Sequence, residues 1–285
     1  MSLPPGVASY GDPAYWEARF AGGEEGFEWC GGGWAGGVGD ALCPALAGAV
    51  RVLVLGAGTS RLPFELASEG VGGAGGRLPA LREVVATDLS PTAVENMRAR
   101  AAAAATPPGG AALTFAVADM LDLAPFGDAS FDAVIEKGTF DVLEVAGTDG
   151  RAPDPWDPPN EVRARMHRAL GEAHRVLRPG GGLLASITWA PPLFRRGHYL
   201  DDPRYDWGGP ERVVGGVGGA VPVLAYTLRR GARGAEARWA RRPPGEVTGA
   251  GAGGGGMPGL PAAPEHAGMD EEGYLLRVGL GDESE

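Results

Sequence analysis

Val52-Leu-Val-Leu-Gly-Ala-Gly-Thr-Ser60 reads as a buried strand that runs into a tight glycine turn and then a helix start. Four consecutive apolar residues followed by glycine suit a strand covered on both faces. Gly56 and Gly58 lack Cβ, so the backbone can turn sharply and a ligand can approach it closely; a purely structural turn would use the same glycines. Ser60 is expected to cap a helix over residues 61–69, with Pro63 in the first turn, where its missing N–H costs little, and Gly70 just past the end. The third glycine of a dinucleotide fingerprint would fall at Arg61, which argues against a pyrophosphate ligand and a nicotinamide dehydrogenase.

Outward from this turn, short apolar runs alternate with amphipathic segments. Residues 50–55, 83–87, 113–117, 131–135 and 183–188 read as buried strands bounded by Gly, Asp or Pro. Ser90 precedes Pro91 as the cap of a second helix, and Glu161–Leu177 places Val162, Met166, Ala169, Leu170, Ala173 and Leu177 on one face. Such alternation implies a parallel sheet with helices on both sides. The stretch 205–228 adds two strands as an antiparallel hairpin at the sheet edge, giving an α/β, Rossmann-like, seven-stranded, mostly parallel sheet. This domain is expected over 50–230, after an N-terminal segment 1–49. Residues 147–160 read as a Pro/Asp-rich loop. The Gly/Ala/Pro-rich tail 231–285 is expected to be largely disordered, and Tyr274–Val278 to be inert, an edge strand or a partner-binding element.

Length of 285 residues and 44% hydrophobic content allow one large domain or two small ones. No run approaches the roughly 20 apolar residues that span a bilayer. The start carries neither a basic nor an apolar signal region, and it has Asp12 but no Arg before Arg19, so neither secretory nor mitochondrial targeting is expected. Cys30 and Cys43 lack metal-ligand spacing and read as reduced thiols of a cytoplasmic protein; no metal site is expected. A net charge of −11 disfavours a nucleic-acid backbone as partner and suits a basic protein. The arginine pairs at 195–196, 229–230 and 241–242 read as solvated faces. Among 25 basic side chains only Lys137 is a lysine, which hints that this position needs an ammonium. Of the histidines, His167 and His174 fall on the expected helix and His266 in the tail.

The chemistry-bearing residues cluster at strand ends. Asp88 closes Val84-Val-Ala-Thr-Asp88, about 30 residues after the glycine turn, where an acid can accept both ribose hydroxyls of an adenosine; capping or solvation is the plainer role. Asp119 follows the third strand and is placed to accept from an adenine amino group, with Met120 packing on the ring. The fourth strand ends in Glu136 and Lys137, at the end that faces the ligand crevice in open α/β sheets.

The Glu136-Lys-Gly-Thr-Phe-Asp141 block resembles the signature of the seven-strand lysine methyltransferases that modify translation elongation factor 1-alpha. Tyr15-Trp-Glu-Ala-Arg-Phe20 with Phe27-Glu-Trp29 looks like that family's N-terminal motif, and Arg175–Gly181, Pro192–Tyr199 (with His198) and Tyr205–Trp207 have counterparts. A mitochondrial relative that methylates citrate synthase shares much of the pattern. The resemblance covers roughly residues 10–230; it implies S-adenosylmethionine as cofactor, a protein lysine as substrate, and a lid in 1–49. Trp16, Phe20 and Trp29 would close over the cofactor, and Gly56 and Gly58 would lie beneath it. Asp88 and Leu89 would hold ribose and adenine, Asp119 and Met120 the adenine edge, and Lys137 the amino-acid moiety. Phe20 stands where an aromatic with a hydroxyl is usual, so a hydrogen bond is lost there. The acceptor channel is expected to be lined by Phe140, Trp29 and Trp189, with Glu136 and Asp141 orienting the amine or taking its proton through water. A small-molecule methyltransferase and an inactive interaction module are the competing readings.

Overall fold

Strand β1 (Arg51–Leu55) lies inside a sheet whose residues alternate between two apolar layers. Val52 and Val54 face one buried cluster, and Leu53 and Leu55 the other. A computed structural model of the chain describes residues 7–23, 27–30, 34, 37–72, 75–104, 110–146, 157–190, 192–200, 204–215 and 223–231. Beyond Gly231, the expected disordered tail, including Tyr274–Val278, Arg241, Arg242 and His266, lies outside the described residues, as do 147–156 of the Pro/Asp-rich loop.

From the N-terminus the elements are α1 (Pro13–Ala21), α2 (Val38–Leu46), β1, α3 (Leu62–Ser68), β2 (Glu83–Asp88), α4 (Pro91–Ala103), β3 (Ala112–Val117), β4 (Ala133–Lys137) and α5 (Thr139–Val145). They continue with α6 (Asn160–Val176), β5 (Leu183–Thr188), α7 (Pro192–Leu200), β6 (Trp207–Gly215) and β7 (Leu224–Arg230). The sheet order is β3-β2-β1-β4-β5-β7-β6. Strands β1 to β5 run parallel, and β7 pairs antiparallel with both β5 and β6. This is the expected Rossmann-like sheet with an antiparallel finish. Residues of α2, α3 and α4 cover one face, and residues of α5, α6 and α7 the other.

Element bounds shift where local chemistry intervenes. Helix α4 starts at Pro91 with the Ser90 side chain accepting from the Ala93 N–H, as the capping rule predicts. Helix α3 starts at Leu62, one residue later than expected, while the Ser60 hydroxyl accepts the Leu62 N–H at 3.1 Å. The fourth strand is displaced from 131–135 to 133–137. Phe131 leaves the ladder for a bridge to Leu177 and is fully buried against the second cluster. Four helices lie where no helix was expected: α1, α2, α5 and α7 are each nine residues or shorter, too little sequence for a 3.6-residue period to show. No described helix is long and apolar enough to cross a membrane.

Asp132 fixes the edge of the sheet opposite the crevice. Its Oδ2 accepts the N–H groups of Val50 and Arg51 at 2.9 and 2.8 Å, and Oδ1 meets the Arg178 guanidinium. Asp132→Ala leaves those N–H groups without their acceptor and is expected to lower unfolding stability by about 1–3 kcal/mol in urea denaturation, with the slope unchanged.

Candidate functional site

The parallel register brings the ends of β1 to β4 side by side: Asp88 pairs with Val117, and Leu55 with Glu136. Asp88 and Leu89 therefore stand beside Asp119 and Met120, and the glycine turn beside Lys137. Gly56 and Gly58 take φ of +57° and +50°, a region side chains disfavour. A Cβ on Gly56 would collide with the Thr139 side chain, whose hydroxyl donates to the Leu55 carbonyl at 3.1 Å. That glycine admits the start of α5 against the turn, a protein contact in the place where the sequence suggested a ligand. A Cβ on Gly58 would have the edge of the Phe20 ring 3.3 Å away.

Asp88 fastens this turn. Its Oδ2 accepts the Gly58 N–H at 2.7 Å and its Oδ1 the Ser90 N–H at 2.9 Å. Burial raises its pKa, and the backbone donors of Ser90 and Gly58 oppose the rise. Each oxygen spends one lone pair on the backbone and keeps another for a ligand hydroxyl. Asp119 Oδ1 accepts the Leu121 N–H at 2.8 Å within its own turn. Met120 packs partly buried against the second cluster, and Leu89 is 46% exposed. Two acidic acceptors at neighbouring strand ends, with Arg61 where a phosphate cradle needs glycine, suit an adenosine bearing no phosphate.

The N-terminal segment covers this edge. In α1, Glu17 accepts hydrogen bonds from the hydroxyls of Ser90 and Thr92 at the start of α4, which lower its pKa. Asn96 donates to the Phe20 carbonyl at 3.2 Å. Trp16 stacks on Phe20 at 5.9 Å and meets Trp29 edge-on at 5.8 Å, and Trp29 meets Trp189 edge-on at 6.0 Å. Glu28 reaches the start of α3, accepting from the Ser60 hydroxyl at 2.7 Å, the Arg61 N–H at 2.6 Å and the Lys137 ammonium at 2.9 Å. Burial pushes the Glu28 carboxyl up, but Lys137 and these hydrogen bonds outweigh it and hold the pKa below its usual value. Lys137, almost fully buried, also donates to the Trp29 carbonyl at 2.7 Å. The single lysine thus holds the covering segment down. Glu17 and Glu28 both sit inside the aromatic motif, and no local pattern marks either as an anchor, because their partners Ser90, Thr92, Ser60 and Lys137 are 32 to 109 residues away.

The acidic block after β4 is arranged differently from expectation. Glu136 is fully buried; Oε2 accepts the N–H groups of Thr139 and Phe140 at 3.0 Å each, and Oε1 accepts the Ser186 hydroxyl. It closes the open end of α5 with both oxygens committed to protein donors, which corrects its assignment as an orienting group. Phe140 is likewise corrected: α5 turns it inward, fully buried with Leu143 and Met166 in the second cluster, and it lines no channel. Asp141 Oδ1 accepts from the Thr188 hydroxyl and the Arg195 guanidinium, while Oδ2 is buried without a hydrogen-bond partner. Arg195, expected on a solvated face, is 0% exposed; it also donates to Glu144 at 2.7 Å and to Thr188 at 3.1 Å. Burial opposes its charge, but Glu144 and Asp141 outweigh burial and raise its pKa. His198 lies 3.6 Å from Glu144, and burial with the nearby Arg195 pushes its pKa down to about 4. Among the described residues no group of His, Cys, Asp and Glu is arranged to hold a metal.

Burial raises the pKa of Glu136 and of Glu144 to about 7 each, with Arg195 opposing both shifts. A carboxyl whose folded pKa lies above its unfolded value binds its proton more tightly when folded, so stability falls as pH rises from about 4.5 towards 7. Glu136→Gln keeps an acceptor for the two N–H groups of α5 and a donor for Ser186. Urea denaturation at pH 5 and pH 7.5 is expected to show the wild type losing about 1–3 kcal/mol across that range and the variant losing visibly less.

Residues 53–185 match the family model described as Methyltransferase domain. "EEF1A lysine methyltransferase 4" of Mus musculus is 34% identical over 209 residues, covering 72% of this chain and 71% of that protein. Its counterpart in Bos taurus is also 34% identical, over 207 residues and the same shares. The "eEF1A lysine and N-terminal methyltransferase" of Bos taurus is 28% identical over 204 residues, 69% of this chain and 24% of that one. A crystallised methyltransferase from Pyrococcus furiosus superposes with a TM-score of 0.46 at 14% identity, covering 68% of this chain and 81% of that one.

Proposed function

The chain belongs to the seven-strand, S-adenosylmethionine-dependent protein-lysine methyltransferases, and we propose that its acceptor is a lysine side chain of translation elongation factor 1-alpha. The observation that carries this acceptor is the 34% identity to EEF1A lysine methyltransferase 4 over 71% of that relative. A net charge of −11 fits a basic protein partner, and the free thiols Cys30 and Cys43 fit action in the reducing cytoplasm.

Asp88 would hold the ribose hydroxyls, Leu89, Asp119 and Met120 the adenine, and Trp16, Phe20 and Trp29 the covering wall. S-adenosylmethionine, when bound, supplies an activated methyl group on a positively charged sulfur. The protein's task is then positioning and the exclusion of water. A lysine in water has a pKa of about 10.4, and only its neutral form is nucleophilic. The aromatic wall of Trp29 and Trp189 favours that form, because removing an ammonium from water costs more than removing an amine. Lys137 and Glu28 keep the wall in place by tying residues 28 and 29 to the end of β4.

The test is transfer of radiolabelled methyl from S-adenosylmethionine to purified elongation factor 1-alpha and to a soluble extract. One labelled protein band at the size of that factor is expected, falling at least 100-fold with Asp88→Ala, which removes the ribose acceptor. Label confined to small molecules would overturn the protein acceptor.

A further inference from the structure

We infer that the acceptor amine is received by Oδ2 of Asp141, and that Arg195 is the residue that positions this carboxylate. The inference rests on the protein-lysine reading and deepens it by naming the contact.

Among the described residues, Asp141 Oδ2 is the buried carboxylate oxygen left without a hydrogen-bond partner. A buried acceptor without a donor is unfavourable, so a carboxylate free to turn would turn to satisfy it. Asp141 is held from turning. Its other oxygen takes the hydroxyl of Thr188, the last residue of β5, and the Arg195 guanidinium from α7. Arg195 is in turn held by Glu144, one helical turn further along α5, and by Thr188. The fork of one guanidinium thus spans Asp141 and Glu144 and fixes which oxygen is spent.

The free oxygen lies beneath the covering segment, next to the end of β4. A Cβ built on Gly138, the residue after Lys137, would sit 3.9 Å from Asp141 Oδ2, 3.2 Å from the Cys30 sulfur and 3.8 Å from the Trp29 Cβ. The end of β4, the covering segment and Asp141 therefore converge on one point. Asp88 ends β2, two strands away across β1, so the nucleoside acceptors and this oxygen lie at separate strand ends. The neighbouring carboxylates are committed: Glu136 to Thr139, Phe140 and Ser186, and Glu28 to Ser60, Arg61 and Lys137. An amine N–H is the donor that Asp141 Oδ2 lacks.

The experiment uses the full chain saturated with S-adenosylhomocysteine and titrated with n-butylamine, a lysine side-chain mimic, by calorimetry. Methyl transfer to elongation factor 1-alpha is measured in parallel. Asp141→Asn, which keeps shape and removes charge, and Arg195→Lys, which keeps charge and loses the fork, are compared with wild type. Both variants are expected to bind the amine at least 10-fold more weakly while S-adenosylhomocysteine affinity stays within about twofold. For Arg195→Lys, KM for the protein acceptor is expected to rise more than kcat falls, which a merely destabilised fold would not produce. Amine binding by Asp141→Asn equal to wild type overturns the inference, as does a wild type that binds no amine. If the wild type binds amine through Asp141 yet labels no elongation factor, the named acceptor fails and the contact stands. Should Arg195→Lys fail to fold, Asp141→Asn decides alone.

Discussion

The carboxylate of Asp88 joins pieces of chain that would otherwise meet only through apolar contact. One oxygen holds the glycine turn after β1, and the other holds the start of α4. Gly58 can take its positive φ because that turn is tied down, and Gly56 can take its own because no Cβ stands between β1 and Thr139. Parallel strands place their carboxyl ends on one edge, so this small set of hydrogen bonds decides the shape of the whole crevice. Burial works against the charge of Asp88, and the backbone donors are what make a carboxylate tolerable there.

The same edge is closed by α1 and residues 27–30. Two carboxylates do the fastening, Glu17 at the start of α4 and Glu28 at the start of α3. Helix starts expose N–H groups and favour negative charge, so a covering segment that carries acids at the right spacing has anchoring points at the sheet edge. Lys137 adds a buried cation whose partners both belong to the segment. The aromatic residues Trp16, Phe20 and Trp29 then pack on one another over the crevice, Trp16 stacked on Phe20 and edge-on to Trp29. The lysine that ends β4 thus also holds the aromatic wall against the strand ends.

Behind β4 and β5 lies a second polar layer, which is buried. Arg195 serves Asp141 and Glu144, while Glu136 and Tyr199 meet at the Ser186 hydroxyl. Burial raises the pKa values of Glu136 and Glu144, and one guanidinium shared among three nearby carboxylates does not offset it. Such a layer is sensitive to the loss of any one member, because each remaining group would be left charged and dry.

How much of this could be read in advance follows from the range of each interaction. Strand and helix periodicity, the cap at Ser90 with Pro91 as first helical residue, and the glycine turn are local, and the sequence by itself determined them, with the sheet class that their alternation implies. The placing of Asp88 and Asp119 at one edge was legible because parallel strands send their ends there whatever the packing. Glu136, Phe140 and Arg195 were not: their types suggested a reactive or solvated group, and burial reversed each meaning. Whether an acid at a strand end faces a ligand or caps the next helix depends on one backbone turn. Whether an arginine is solvated depends on which face α7 lays against the sheet. The second is set by contacts between residues about 50 positions apart, such as Asp141 with Arg195, and only the tertiary structure decides those, because no local pattern records which distant carboxylate a guanidinium will meet.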